Sequence, residues 1–586
     1  MNSTAAQLAA PGGQRSFSWV DAVIFVGLLG LLWSFVRFGH GMIVHFNPDQ
    51  QQLTIDTNPA LIPYYSGRTL LRMWIAFGLS LLFTFVVGYV AAKSRVARAL
   101  ILPALDFMQS VPVLAFLSAT VTGFMALFPG SLFGVECASI FAIFTGQVWN
   151  MTFGFYHSMV TIPQDLREAA TNFRLSRVQR FRTLELPASM HSLIWNSMMS
   201  FGGGWFFVTQ SEAITVLNKN ISLPGLGSYV GAAIDQGNYT NVGWALLAML
   251  IVILASDQLV WRPLLAWADK FKIEMTESAE RPTSWFYSLL RRAYIFEWLD
   301  DKVLTPLAES YLRLARHHAD PDEVERTRMQ SEKVGAWIWK SVGIIVAVVL
   351  TYYVVVGMIA AIQNVQNHIS VRELSNVTVK GLLTLARVLA ITIFSTIVWT
   401  PIGVWIGLRP KAAKVAQPLA LLAASFPVNM TFPITVGLFV RYHIPIGLGS
   451  VALMAMGTQW YVLFNVIAGA MAIPNDLKEA ATTYGLKGWP LWRTLIIPAI
   501  FPFWVTGACT AAGGAWNVSI VAEVQHWGDT VLQARGLGAF ITEVSNKGDT
   551  AALIIGIAVM SFFVLLINKL VWRRLYSYAE RRFHLD

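Results

Sequence analysis

The chain has 586 residues, 55% of them hydrophobic and only 13% charged, with a mean hydropathy of +0.54; an average soluble domain is about 25% charged. This balance excludes an ordinary soluble globule and places the chain in a bilayer. The net charge of +10 sits in short clusters between apolar blocks, Lys93, Arg95 and Arg98, then Arg409, Lys411 and Lys414. That is a topology signal and not the footprint of a nucleic-acid binder, so no nucleic-acid partner is expected.

The apolar blocks are each long enough to cross roughly 30 Å of hydrocarbon, which takes about 20 helical residues. The first, Trp19 to Phe38, has no clear small-residue cleavage site after it and reads as a retained helix, not a signal peptide. Helix centres are expected near residues 29, 80, 113, 145, 199 and 252, then near 348, 394, 428, 457, 510 and 561. Trp74, Trp205, Trp261, Trp460 and Trp572 stand near block ends, positions that suit a membrane interface. Cys137 and Cys509 lie within apolar blocks and imply neither a disulfide framework nor a metal site.

A repeat organises this series. Ile162–Ala170 (IPQDLREAA) recurs 311 residues later as Ile473–Ala481 (IPNDLKEAA). At the same shift Trp149 pairs with Trp460, Glu212 with Glu523, and Gly225-Leu226-Gly227 with Gly536-Leu537-Gly538. Upstream the shift becomes 315, pairing Arg72 with Arg387 and Ser110-Val111-Pro112 with Ser425-Phe426-Pro427. The predicted fold is therefore an all-α polytopic membrane protein of about twelve transmembrane helices, in two homologous six-helix halves.

The expected organisation runs as follows: a tail, first helix and periplasmic loop over 1–66; a first core over 67–272, with its motif loop at 162–187; and a cytoplasmic connector over 273–335. The first helix and outer loop of the second half then occupy 336–380, a second core 381–582 with its loop at 473–498, and a tail 583–586. An even helix number per half keeps both halves in one orientation. The basic clusters, both motif loops and both termini then share one side, which the positive-inside rule makes cytoplasmic.

The motif loops carry the strongest constellation: Asp165, Glu168, Ala169 and Ala170, and their twins Asp476, Glu479, Ala480 and Ala481. Asp followed by Glu three residues later resembles a capping box, so a short helix should start just after Pro163 and Pro474. Paired alanines give it a close-approach face. Gly485 can take the left-handed conformation that ends such a helix, whereas the equivalent Arg174 cannot do so cheaply. The two loops are expected to end differently.

The order Glu-Ala-Ala, three residues, Gly, then a run ending in Leu/Ile-Pro resembles the EAA loop of type I ABC importer permeases. The Ser-x-Pro, the Trp-containing span before the loop, the outer Glu and the later Gly-Leu-Gly are similar to the nitrate/sulfonate/taurine branch of the binding-protein-dependent permeases. The resemblance covers roughly 69–271 and 384–582 and implies a fused permease. Each loop would be a coupling helix seated on one of two ABC ATPase subunits, and ATP and magnesium would be bound there and not in this chain. It further implies a bacterial inner membrane, a small anion such as nitrate, sulfonate/taurine or bicarbonate as substrate, and a periplasmic substrate-binding protein as a candidate partner.

Intramembrane polar residues are candidates for the substrate pathway. Arg72 and Arg387 would attract an anion if they face inward and snorkel to headgroups if they lie at the interface. Ser110 and Ser425 beside their prolines either line a cavity or pack at a kink; Gln109 has only Ala424 as counterpart. Trp149 and Trp460 read as packing residues or as a substrate clamp. Glu212 and Glu523, just beyond the fifth span, would brace the outer loops or meet an external partner. The alternative is a secondary, ion-coupled transporter with parallel six-helix repeats. A membrane enzyme is disfavoured, since no Walker sequence, no His-x-x-x-His pair and no Ser/His/Asp set is recognisable.

Overall fold

The computed structural model describes residues 19–46, 53–173, 175, 177–216, 219–271, 284–293, 370–527 and 530–582, with single positions at 302, 306, 352, 356, 359 and 363. These fall into two units. The first, 1–36 and 283–367, contains most of α1 (Trp19–His40) and a short connector helix, Trp285–Leu290, whose first turn is capped by the Ser284 side chain. The helix expected near 348 lies outside the described residues.

The second unit, 37–282 and 368–586, holds both halves of the repeat. In the first half α2 (Pro59–Lys93) is followed by α3 (Arg95–Ser110), α4 (Leu117–Leu127), α5 (Phe133–Val160) and the short α6 (Gln164–Asn172). Next come α7 (Leu186–Glu212), a hairpin of β1 (Ala213–Val216) and β2 (Lys219–Ser222), α8 (Leu226–Asp235) and α9 (Tyr239–Ser256). The second half repeats the order in α10 (Val371–Gly407), α11 (Pro410–Ser425), α12 (Phe432–Arg441), α13 (Ile446–Met471) and α14 (Asn475–Thr483). It closes with α15 (Ile497–Ala522), β3 (Val524–Trp527), β4 (Thr530–Gln533), α16 (Leu537–Lys547) and α17 (Thr550–Ile567). Each hairpin is antiparallel, Ala213 opposite Ser222 in one and Val524 opposite Gln533 in the other. The repeat is thus kept down to strand register.

Two expectations need correction. The single helices predicted around 113 and 428 are broken pairs, bent by 83° and 77°. Proline excludes the helical conformation from the residue before it; Val111 (ψ 121°) and Phe426 (ψ 128°) are extended, so the chain turns instead of kinking. Trp205, Trp261 and Trp572 are packed inside the protein instead of facing outward as belt residues would, and Trp261 stacks on Trp74 at 6.4 Å inside the first half. Among the described residues seven helices are long and apolar enough to cross a membrane, or nine if each bent pair is one span. The first-half helices α5 and α7 fall outside that set although their repeats α13 and α15 pass; they are the more polar pair, with Glu136 and Gln147 buried on α5 and Ser200, Thr209 and Glu212 buried on α7.

Within each half the fourth span packs along the fifth, α5 on α7 and α13 on α15. The halves meet reciprocally. The break and second-half helix α11 lie against α7, while the corresponding first-half turn, Val113–Phe116, lies against α15.

Candidate functional site

The motif helices α6 and α14 are one shape built twice. Each starts directly after its proline, but the predicted capping box does not form: the cap residue is Pro163 or Pro474, and no side chain closes either first turn. Asp165 and Asp476 instead lie inside the first turn, exposed, where a carboxylate is favoured by the unpaired N–H groups and the helix dipole. Glu168 is also exposed and accepts a bond from Gln164 Nε2 at 2.8 Å; Glu479 is exposed likewise. Ala170 and Ala481 are buried, and Ala169 and Ala480 half-buried, so the small face seats the helix and the acids face out.

Gly485 takes φ +70°, and the N–H of Leu486 closes the helix on the carbonyl of Ala481 at 2.9 Å. The first loop makes the equivalent bond, Leu175 N–H to Ala170 O at 3.1 Å. The expectation that the loops end differently is therefore corrected in the closing bond they share; Arg174 itself lies outside the described residues. The loops do differ one turn earlier, where Arg167 Nη2 caps the last carbonyls of α5, Met159 and Val160, at 2.9 and 2.8 Å. The second loop has Lys478 at that place.

Four residues assigned by sequence to two different roles form a single motif. Arg72, fully buried, donates to Glu212 Oε1 at 2.8 Å and to the carbonyl of Pro224 at 3.0 Å. Glu212 also accepts from Thr69 Oγ1 at 2.6 Å and from the N–H of Gly227 at 2.7 Å. In the second half Arg387 donates to Glu523 at 2.7 Å and to the carbonyl of Arg535 at 3.1 Å. Glu523 accepts from Thr384 at 2.8 Å and from the N–H of Ala539 at 3.1 Å. Each carboxylate thus fastens the end of the fifth long helix to the start of the Gly-Leu-Gly helix and to the second span. Glycine is needed beside it, because a Cβ on Gly225 or Gly536 would collide with the Glu carboxylate.

The first half adds a second ion pair that sequence reading missed. Glu136 on α5 receives Arg68 at 2.5 Å and two nitrogens of Arg72 at 2.6 and 2.8 Å, all fully buried. The repeat positions are Leu383 and Gly447, so the second half lacks cation and anion alike and both clusters are neutral. An acid inside an apolar span demands a buried cation, and Arg68, one turn before Arg72, was the available signal.

The remaining candidates separate. Trp149 packs against Phe83 and Leu105, and Trp460 against Trp399 at 5.3 Å. Gln109 is exposed, and the side chain of Ser110 lies outside the described residues. Ser425 is brought to the other half, where a Cβ on Gly202 would meet its Oγ. Beside it is a contact that sequence reading did not find: Asn429 Nδ2 donates to Gln210 Oε1 at 3.2 Å and to Thr209 Oγ1 at 3.1 Å across the two halves. The pseudo-symmetric positions are Leu114, Val521 and Ile520, so this polar contact has no counterpart at its repeat positions.

Comparison with known proteins places two copies of one family model on the chain. The model, described as a binding-protein-dependent transport system inner membrane component, matches residues 84–259 and again 399–584, together more than half of the chain. The chain belongs to this family. It is a fused, multi-pass transport permease of the ABC importer class. Similar proteins include the nitrate import permease protein NrtB of Leptolyngbya laminosa, 25% identical over 32% of this chain and 63% of that protein. The bicarbonate transport system permease protein CmpB of Synechococcus elongatus is 22% identical over 35% and 66%. The glycine betaine/proline betaine permease protein ProW of Escherichia coli is 24% identical over 35% and 56%. The permease thus aligns with between half and two thirds of the length of these relatives.

Proposed function

We propose that this permease forms the translocation pathway of an ATP-driven importer of a small anion, of the class of nitrate, a sulfonate such as taurine, or bicarbonate, across a bacterial inner membrane. Two separate ABC ATPase subunits, which bind the ATP and magnesium, dock on α6 and α14, and a periplasmic binding protein delivers the substrate. The observation that carries the reading is the pair of motif helices. Each presents its acids outward, Asp165 and Glu168 or Asp476 and Glu479, on a buried alanine seat. An exposed carboxylate on a firmly seated helix suits a contact that must transmit force. The side bearing these helices is the cytoplasmic one, with both termini.

The pathway runs between the halves, past Ser425, Asn429, Gln210 and Thr209. Arg72 and Arg387 are spent on Glu212 and Glu523, which favours the bracing role for all four and leaves neutral donors to meet the anion. The nitrate and bicarbonate names of two relatives favour an anion; nothing in the comparisons favours an ion-coupled carrier.

The test is charge reversal on α14. Glu479→Lys, co-assembled with its ATPase subunits in liposomes, should keep its fold and ATP hydrolysis while substrate uptake falls at least tenfold. Wild-type uptake per ATP in that variant would remove the coupling role.

A further inference from the structure

Under the first motif helix lies a cavity of about 410 Å³ whose charged lining is Lys93, Arg98, Arg167, Arg180 and Glu185. Four cations surround one carboxylate. Glu185, almost fully buried, takes Lys93 and, at 3.0 Å, Arg180 on the same oxygen, Oε1. Hydrogen bonds among the described residues use Nε and Nη2 of Arg98 on the carbonyls of Ala91 and Ala92, and Nη2 of Arg167 on α5. Both guanidinium groups keep further N–H donors. The local charge of +3 is what remains after Glu185 is counted.

The second half shows that this polarity is no requirement of the fold. The positions equivalent to Lys93, Arg98, Arg180 and Glu185 are Leu408, Ala413, Leu491 and Ile496. There Ile496 is buried in an apolar cluster against which Leu408 and Leu491 pack, and Ala413 is buried in another. The same backbone is closed by apolar contact in one half and left hollow and basic in the other. A topology signal does not explain this, because the second half has its own basic cluster, Arg409, Lys411 and Lys414, and yet carries apolar residues at these four positions.

We propose that the cavity is a binding site for a phosphate-type oxyanion, present once per chain, with Arg98 and Arg167 as its chief donors. Planar guanidinium forks suit such oxygens, and a dianion matches most of the surplus charge. Because Arg167 belongs to α6, occupancy ties the first motif helix to the end of the second span. Free phosphate and the phosphate of an anionic lipid headgroup present the same chemistry here.

The site is tested on the purified full chain in nanodiscs, independently of transport, so its failure leaves the permease reading intact. In zwitterionic-lipid discs, equilibrium dialysis with labelled inorganic phosphate should show one equivalent per chain if free phosphate is the ligand. In discs containing phosphatidylglycerol, one retained anionic lipid per chain after exchange into zwitterionic lipid identifies a headgroup instead. Either signal should fall at least tenfold in the triple variant Lys93→Leu, Arg180→Leu, Glu185→Ile, which installs the second half's own packing, and in Arg98→Ala alone should that triple variant misfold. No retained ligand in either arm, two equivalents per chain, or unchanged binding in the variant that folds overturns the proposal.

Discussion

Removing Glu136 should harm the permease more than removing Glu136 and Arg68 together. With Glu136→Ala, Arg68 and Arg72 remain fully buried with Glu212 as their one carboxylate; stripping one partner from a buried ion pair costs about 3–5 kcal/mol. Arg68→Leu alone takes one charge-assisted bond from Glu136, which keeps its two from Arg72. It leaves one carboxylate in surplus, for about 1.5–3 kcal/mol. Independent effects would sum to about 4.5–8 kcal/mol. The double variant is neutral again, and Arg72 keeps Glu212 at 2.8 Å and the Pro224 carbonyl at 3.0 Å. That is the arrangement Arg387 has with Glu523 and Arg535. What remains is unfilled volume, about 2–3 kcal/mol, and the Arg72 Nε and Nη2 donors that Glu136 held; Glu136→Ala loses those same two bonds and also strands Arg68, so the double variant should be more stable than Glu136→Ala. Thermal unfolding in one detergent, followed by tryptophan fluorescence and by recovery of monodisperse protein, gives the order. A double variant that melts at or below Glu136→Ala would refute the idea that this pair is a separable neutral addition.

Three further outcomes follow from the bracing motif and the contact between halves. Thr384→Val removes a bond to Glu523 and another to the N–H of Leu537 and should lower stability by about 1–3 kcal/mol, read as a lower unfolding temperature, with Thr384→Ser largely restoring it. Gly538→Ala places a Cβ against the carbonyl of Ser519, which is helix backbone and cannot turn aside; it should reduce folded yield more than Gly513→Ala, where a Cβ meets nothing within 4 Å. Asn429→Leu, which copies Leu114 of the other half, deletes the bonds to Thr209 and Gln210. It should leave folding intact and change the concentration of substrate giving half-maximal uptake by about tenfold, roughly the worth of one to two hydrogen bonds; an unchanged value would place Asn429 outside the pathway.

The sequence carried the fold because repetition is a global signal. Matching Glu168 to Glu479 and Arg72 to Arg387 set both halves in register before any helix was assigned, and the hairpins and broken spans keep those registers. It carried the motif helices too, since a proline followed by mixed charge and paired alanines is local information. It did not carry the ends and partners of side chains. Asp165 looked like a cap, yet the residue at the cap is Pro163, and one position decides whether a carboxylate bonds backbone or faces out. Arg72 and Glu212 looked like separate features because 140 residues divide them; only packing of the second span against the fifth joins them. Glu136 had no counterpart in the repeat, and a search for matched pairs passes over such a residue.

The unmatched residues are where the two halves part. Arg68 with Glu136, the basic cavity around Glu185, and the polar contact of Thr209 and Gln210 with Asn429 have apolar residues or glycine at their repeat positions, with Arg167 of the cavity the exception, since Lys478 stands in its place. In a permease made of two identical chains each such change would appear twice, and a polar group placed near the twofold axis would face its own copy. Fusion removes that constraint. A single Asn429 can meet Thr209 and Gln210 without a second asparagine opposite. A cavity can be opened beside one motif helix while the other stays packed. The neutral brace shared by both halves then marks what the fold requires of each. What differs between them marks the places at which one half can be tuned without its twin, and the first motif helix, with a charged hollow beneath it, stands at one of them.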